Sequence, residues 1–214
     1  MPTLHGHGLS PYVRKVRMVL AIKGIKYQHN EISPFEVGED YKKRIHPMGK
    51  IPAYEEDGWV LPDSSAICNY IDNISPFPAL ISGNARDKAQ IMWWEEYLDT
   101  AFMQHIAGPF FFERVIKPKF FKQKTDENLL KYITMNVADK VLDVLERQLV
   151  KHKYIATNHM SLADVTFAAH CRSAQLGGFK LDELKFPSLA KFNNDLLTVE
   201  GIAEVIRDER RYLS

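Results

Sequence analysis

Residues 48–67 carry two signals that few folds accommodate together: a proline opening a strand pattern and, one hairpin later, an Asp-Ser-Ser helix start. A loop through Met48-Gly49-Lys50 enters the strand at Ile51-Pro52. Asp57-Gly58 turns the chain, a second strand covers 59–61, and a helix opens at Asp63-Ser64. Pro52 has no backbone donor, so it belongs at an edge position or in a cis peptide within a tight turn. Either placement leaves the main-chain groups of Ile51 free to pair with an outside peptide. At Asp63-Ser64-Ser65, unpaired amides and the positive end of the helix dipole can hold a carboxylate. The two anchors together suit a peptide ligand.

Upstream, Thr3-Leu4-His5-Gly6 reads as a first strand and His7-Gly8-Leu9 as a loop. Ser10-Pro11 then puts serine at the N-cap and proline at the first helical position. Val13, Val16, Val19 and Leu20 form an inward face; Arg14, Lys15, Arg17 and Lys23 are expected in solvent, and Gly24 ends the helix. A second strand is expected within 25–32, a turn-rich segment follows, and one helical turn at 41–45 ends before Pro47. The predicted order is strand, helix, strand, loop, hairpin, helix.

Ser75-Pro76-Phe77-Pro78 ends the third helix, and 76–84 reads as a linker. Beyond it only helical patterns appear, so the expected division is an α/β domain over 1–75 and an all-α domain over 85–214. One helix carries Trp93, Trp94, Tyr97, Leu98, Phe102 and Met103, and Gly108-Pro109 is expected to interrupt it. Leu129, Ile133, Val137, Val141, Leu145 and Leu149 recur every fourth residue and predict a second long helix. Ser161-Leu162-Ala163-Asp164 forms a capping box. Pro187 opens a further helix, and the last one ends near Arg210-Arg211.

Lys and Arg number 28 against 27 for Asp and Glu, a formal charge of +1 that attracts neither nucleic acid nor an anionic membrane. No apolar run approaches the roughly 20 residues that span a bilayer, and no basic-then-apolar leader is present. A cytoplasmic location is the expectation. Cys68 and Cys171 form no Cys-x-x-Cys pair and read as buried, inert thiols. The eight histidines lack the spacing of a zinc site, so no metal is expected.

With Ile51-Pro52, Asp63-Ser64 and the Ser161-x-x-Asp164 box in that order, the whole chain resembles the cytosolic glutathione S-transferases, of a serine-type, bacterial or theta/phi/omega-like kind. The resemblance implies an α/β plus all-α architecture, with an N-terminal thioredoxin-like domain and a C-terminal helical bundle domain. It also implies glutathione as co-substrate and a homodimer. Ile51 would pair through its backbone with the cysteinyl moiety beside cis-Pro52, Asp63 and Ser64 would hold the γ-glutamyl end, and Lys50 would stand near the glycyl carboxylate, with His46 and Lys42 as alternatives. Ser10-Pro11-Tyr12-Val13 resembles the Cys-Pro-Phe/Tyr-x pattern of omega-like transferases and glutaredoxins. Serine in place of cysteine removes the mixed-disulfide nucleophile, which favours conjugation over thiol exchange.

A free thiol has a pKa of about 8.5 and is mostly protonated at neutral pH. A hydroxyl donor and a helix N-terminus beside the sulfur favour the thiolate, and Ser10 supplies both, although a plain N-cap is its competing reading. Tyr12, His5 and His7 are the other groups near enough in sequence to approach the sulfur. Tyr12, His105, Phe111, Phe112 and Arg114 are the candidates for an apolar, polar-edged pocket between the domains, with a core role as the alternative for the aromatics. Three functions follow: conjugation of glutathione to a small hydrophobic electrophile, peroxidase or isomerase chemistry on the same thiolate, or a non-catalytic binding module.

Overall fold

Thr3–His5 (β1), Gln28–Asn30 (β2), Ala53–Glu56 (β3) and Trp59–Pro62 (β4) form a mixed sheet in the order β2-β1-β3-β4. β1 runs parallel to β2, and the other neighbours are antiparallel. A parallel pair needs a crossover, and Pro11–Ile22 (α1) provides it. Glu39–Arg44 (α2) precedes β3, and Ser64–Ile74 (α3) follows β4. Asp57 and Gly58 turn the hairpin at φ 50° and 80°, the doubly positive geometry for which an Asp-Gly pair is suited. β3 lies inside the sheet, so Pro52 is not on an edge strand; the Ile51–Pro52 peptide is cis. Leu4 and Tyr54 pair across β1 and β3 on one buried face. On the other, Tyr41 and Ile45 pack against Ala53.

The computed structural model describes residues 1–213. They divide into two units, one of Met1–Ile81 with the segment from Val199 onward, the other Ser82–Thr198. The second unit is all helical. Asn84 caps Ala85–Tyr97 (α4) in a box with Asp87. Helical dihedrals then continue through Leu98–Ala107, Gly108–Phe111 (α5), Phe112–Ile116 and Lys117–Phe121 (α6), so Gly108-Pro109 does not interrupt the helix. The reason is that Leu98–Ala107 is wound as π turns, with the Gly108 N–H donating to the Met103 carbonyl. In an α-helix the proline ring collides with the carbonyl four residues back, and a wider turn moves that carbonyl aside.

The expected second long helix is two, Glu127–Asn136 (α7) and Ala138–Leu149 (α8), because Val137 leaves helical geometry at φ −119°. The break turns Leu129 to solvent, 40 % exposed, and leaves Leu130 and Ile133 to pack against Phe110. Leu162–Leu176 (α9) is buried along most of its length, and Pro187–Leu196 (α10) follows.

At the start of α9 the Ser161 N–H and hydroxyl donate to Asp164 Oδ2 at 2.7 and 2.8 Å, and the Ile155 N–H donates to Oδ1 at 2.9 Å. Burial nevertheless pushes the Asp164 carboxyl up to about 6. The unfolded value is about 3.9, so folding favours the proton. This stabilising contribution is complete below about pH 4 and lost as pH rises through about 6. Relative to Asp164→Asn, wild-type unfolding free energy should therefore fall by about 2–3 kcal/mol between pH 4 and 7. Urea midpoints for both proteins across that range check the sign, and a rise would refute it.

Glu200–Asp208 (α11) and a 3₁₀ turn, Glu209–Tyr212, belong to the first unit, where α11 packs against α1. The α/β unit therefore extends past residue 75 to Ile81 and takes in the end of the chain, while the helical unit is shorter than 85–214. This packing also overturns the solvent-facing placement of the α1 cations: Arg14, Lys15, Arg17 and Lys23 are 0, 0, 4 and 9 % exposed. The flanking elements bring carboxylates to meet three of them, Glu209 for Arg14, Asp208 for Arg17 and Asp72 for Lys23. Lys23 Nζ also donates to the Ser75 and Pro78 carbonyls, each at 2.6 Å, while Asp72 accepts from the Leu80 and Ile81 amides at 2.8 and 2.9 Å. The first part of the expected 76–84 linker is thus pinned to the α/β unit.

Candidate functional site

The sheet register aligns the predicted anchors. His5 pairs with Ala53, and Ala53 with Pro62, so Gly6, Pro52 and Asp63 are the next residues beyond one end of three adjacent strands. The loop 6–10, the Ile51–Pro52 turn and the start of α3 are brought together there, at the carboxyl end of β1, where open α/β sheets bind ligands. Contact at Gly6 is close: a Cβ would lie 2.5 Å from Val13 Cγ2 and 3.1 Å from Ile51 Cβ. Only a residue without a side chain lets α1 and Ile51 approach this far.

Ser10 is the N-cap of α1, its Oγ accepting from the Val13 N–H at 3.4 Å. The hydroxyl hydrogen has no acceptor among the described residues and remains available for a ligand. No acidic residue occupies the first turn of α1, so the dipole at that end is uncompensated by side chains. The loop before Ser10 is held from two sides. Arg14 Nη2 donates to the Leu9 carbonyl at 3.1 Å, and the Ser10 N–H to that of His7 at 2.9 Å. His7 Nδ1 accepts from the Leu9 N–H at 3.2 Å, a bracing role. His5 is occupied at both nitrogens, by Glu55 and Asn30, each at 2.9 Å, and burial lowers its pKa. Both histidines therefore serve the scaffold.

The backbone N–H and C=O of Ile51 have no hydrogen-bond partner among the described residues, although Pro52 and Ala53 beside them are buried. Lys50 is exposed, and its carbonyl accepts from the Tyr41 hydroxyl at 3.0 Å. Of the alternatives to Lys50, Lys42 is paired with Glu39 at 2.8 Å, and His46 Nδ1 accepts from the Met48 N–H at 3.1 Å. Asp63 caps α3 from a φ of 77°, and its Oδ1 accepts from the Ser65 and Ala66 amides at 2.9 and 3.1 Å. Those two amides are thus taken by the protein itself and are not open to a ligand carboxylate. Ser64 is buried at the first position of the helix.

Two groups near this site are invisible to sequence reasoning. Lys15, from the turn after Ser10, donates through Nζ to Ser65 Oγ at 3.2 Å and ties α1 to the start of α3. Glu209 pairs with Arg14 from the far end of the chain. Neither lies in a local motif; a lysine beside two arginines in a helix reads as a solvated face until the flanking elements are known. In the helical unit, Phe111 is buried, 6 % exposed, whereas Phe112 is 43 % exposed. His105 is exposed, and Arg114 Nη2 donates to Glu127 at 2.7 Å. Tyr12 is half-buried, with Lys15 Nζ 6.0 Å from its ring centre.

Residues 4–79 match the family model "Glutathione S-transferase, N-terminal domain", and 111–209 match "Glutathione S-transferase, C-terminal domain". A probable glutathione S-transferase of Oryza sativa subsp. japonica is 29 % identical over 171 residues, covering 78 % of this chain and 77 % of the relative. The maleylacetoacetate isomerase of Rattus norvegicus is 27 % identical, covering 94 % of this chain and 89 % of the relative. A crystal structure of a glutathione S-transferase from Rhodospirillum rubrum F11 superposes with a TM-score of 0.87 at 24 % identity, covering 96 % and 91 % of the two chains. With both family domains matched in order on a thioredoxin-like sheet followed by a helical unit, the chain belongs to the glutathione S-transferases, enzymes whose co-substrate is glutathione.

Proposed function

We propose that this enzyme conjugates the glutathione thiolate to a small hydrophobic electrophile, with Ser10 donating its hydroxyl hydrogen to the sulfur. The observation that carries the reading is the alignment of Ser10's unengaged O–H with the unpaired Ile51 peptide and the α3 start at one sheet end. Ile51 pairs with the cysteinyl backbone beside Pro52, Asp63 and Ser64 receive the γ-glutamyl end, and Lys50 meets the glycyl carboxylate. Tyr12, His105, Phe111, Phe112 and Arg114 are assigned to the electrophile. Family membership supports a cytoplasmic homodimer.

A second reading is isomerisation through the same thiolate, which the 27 % identity to a rat maleylacetoacetate isomerase supports. The test is steady-state turnover of a reactive aryl halide, an organic hydroperoxide and a cis-configured unsaturated diketo acid, each with glutathione. Aryl-halide turnover well above the other two is expected. Preference for the diketo acid would transfer the assignment to isomerisation, and glutathione binding without any turnover would make the chain a binding module.

A further inference from the structure

We propose that Tyr212 is a positioning residue for the Ser10 hydroxyl, acting through the loop that leads into α1. This deepens the assignment of Ser10 as donor to the glutathione thiolate and rests on it. Residues 6–10 form no helix or strand, so the place of Ser10 beside a bound thiol depends on what grips the loop.

The grip comes from distant parts of the same unit. His29 Nε2, on β2, lies 2.8 Å from the Gly6 carbonyl, and Glu31, just past β2, accepts through Oε2 from the Gly8 N–H at 3.2 Å. Arg14 donates to the Leu9 carbonyl and is itself paired with Glu209. Tyr212 closes the set. Its ring centre lies 5.4 Å from that of His7, and it covers Gly8 so closely that a Cβ there would fall 2.2 Å from Tyr212 Cε2 and 2.6 Å from its hydroxyl oxygen. Gly8 does not sit at a positive φ, so glycine is needed here for space and not for its backbone freedom.

The Tyr212 hydroxyl donates to Glu31 Oε1 and accepts from Arg211 Nη2 at 2.5 Å, so one carboxylate joins the phenol to the Gly8 amide. Burial and the Glu31 charge push this hydroxyl up to about 12, which keeps it a donor at neutral pH. The apolar body of the ring packs on His7 and Gly8 while its polar tip fixes Glu31. Glu209 and Tyr212 share one 3₁₀ turn, which therefore sets the loop at two points, Leu9 through Arg14 and Gly8 directly. Tyr212 does not act on the sulfur itself, because its hydroxyl is engaged by Glu31. What it fixes is where Ser10 sits, and a misplacement of about 1 Å at a reacting group can cost about 100-fold in rate.

Three measurements test this: the pKa of the thiol in bound glutathione, followed by thiolate absorbance, kcat for a reactive aryl halide, and the Kd for glutathione. Tyr212→Ala should raise the thiol pKa by about 0.5–1 unit and lower kcat about three- to tenfold, with the Kd within about twofold. A merely structural loss would reduce the active fraction and leave the thiol pKa as in wild type. Gly8→Ala, whose methyl pushes the ring away, should also raise the thiol pKa. The double variant Gly8→Ala, Tyr212→Ala should match Tyr212→Ala alone, since the methyl then has space. In a Ser10→Ala background, Tyr212→Ala should add nothing to the thiol pKa. A wild-type thiol pKa in Tyr212→Ala, summed losses in the Gly8 double variant, or a full further rise on top of Ser10→Ala would each overturn the proposal. Ser10→Ala with an unaltered thiol pKa would remove the donor and the proposal with it; a raised pKa in Ser10→Ala beside an unaltered one in Tyr212→Ala would remove the positioning role alone.

Discussion

Ser10→Ala should lower kcat/KM for a reactive aryl halide by about 10- to 100-fold while the Kd for glutathione stays within about twofold. A hydrogen bond to a charged partner contributes about 1.5–3 kcal/mol, and each 1.4 kcal/mol is tenfold in rate. On the proposed reading a hydroxyl donor at Ser10 stabilises a thiolate far more than a thiol, so the loss is expected in ionisation and not in the binding proposed for Ile51 and Asp63. The pKa of the bound thiol, followed through thiolate absorbance, should rise by about one to two units in the variant. Ser10 is also the cap of α1, and its removal costs about 1 kcal/mol of stability. Thermal unfolding separates the two effects: Ser10→Thr, which keeps a hydroxyl, should recover much of the activity, whereas Ser10→Gly should recover stability alone. Full turnover in Ser10→Ala would remove the residue from the mechanism.

Glu209→Ala should destabilise the fold by about 3–5 kcal/mol, the usual cost of leaving one member of a buried ion pair without its partner. Arg14 and Glu209 are both fully buried, and Arg14 Nε donates to Glu209 Oε1 at 2.6 Å. Removing the carboxylate strands a guanidinium that cannot shed its proton. The double variant Arg14→Met, Glu209→Leu should recover most of the loss, since two apolar groups of similar size need no counter-charge. Urea unfolding of the two variants measures it; a single-variant loss below about 1 kcal/mol would show that water reaches the pair. Arg14 also holds the Leu9 carbonyl, so Glu209→Ala should lose activity beyond its loss of folded protein, by disordering the loop that carries Ser10.

Local signals in the chain were enough for the α/β unit's elements. Asp57-Gly58 specified a hairpin because two consecutive positive φ angles suit few other pairs. Ser10-Pro11 marked a helix start because each residue answers an end effect of the helix itself. Ser161 and Asp164 likewise describe a box closed within one turn. Such features involve neighbours in sequence, and their physics is complete there. In the helical half a local rule is overridden twice: Pro109 continues a helix because π turns precede it, and the four-residue stripe through Val137 is divided between two helices because Val137 takes a φ of −119°.

What the chain could not disclose is how its distant parts neutralise one another. The cations of α1 look like a solvated face because the carboxylates that meet them, Asp72, Asp208 and Glu209, lie about 50 to nearly 200 residues away. Lys15 on Ser65 belongs to the same class. Periodicity determined which elements form and which residues cap them. Only tertiary packing decided which charges are buried, because desolvation depends on what covers a side chain and not on its neighbours in sequence.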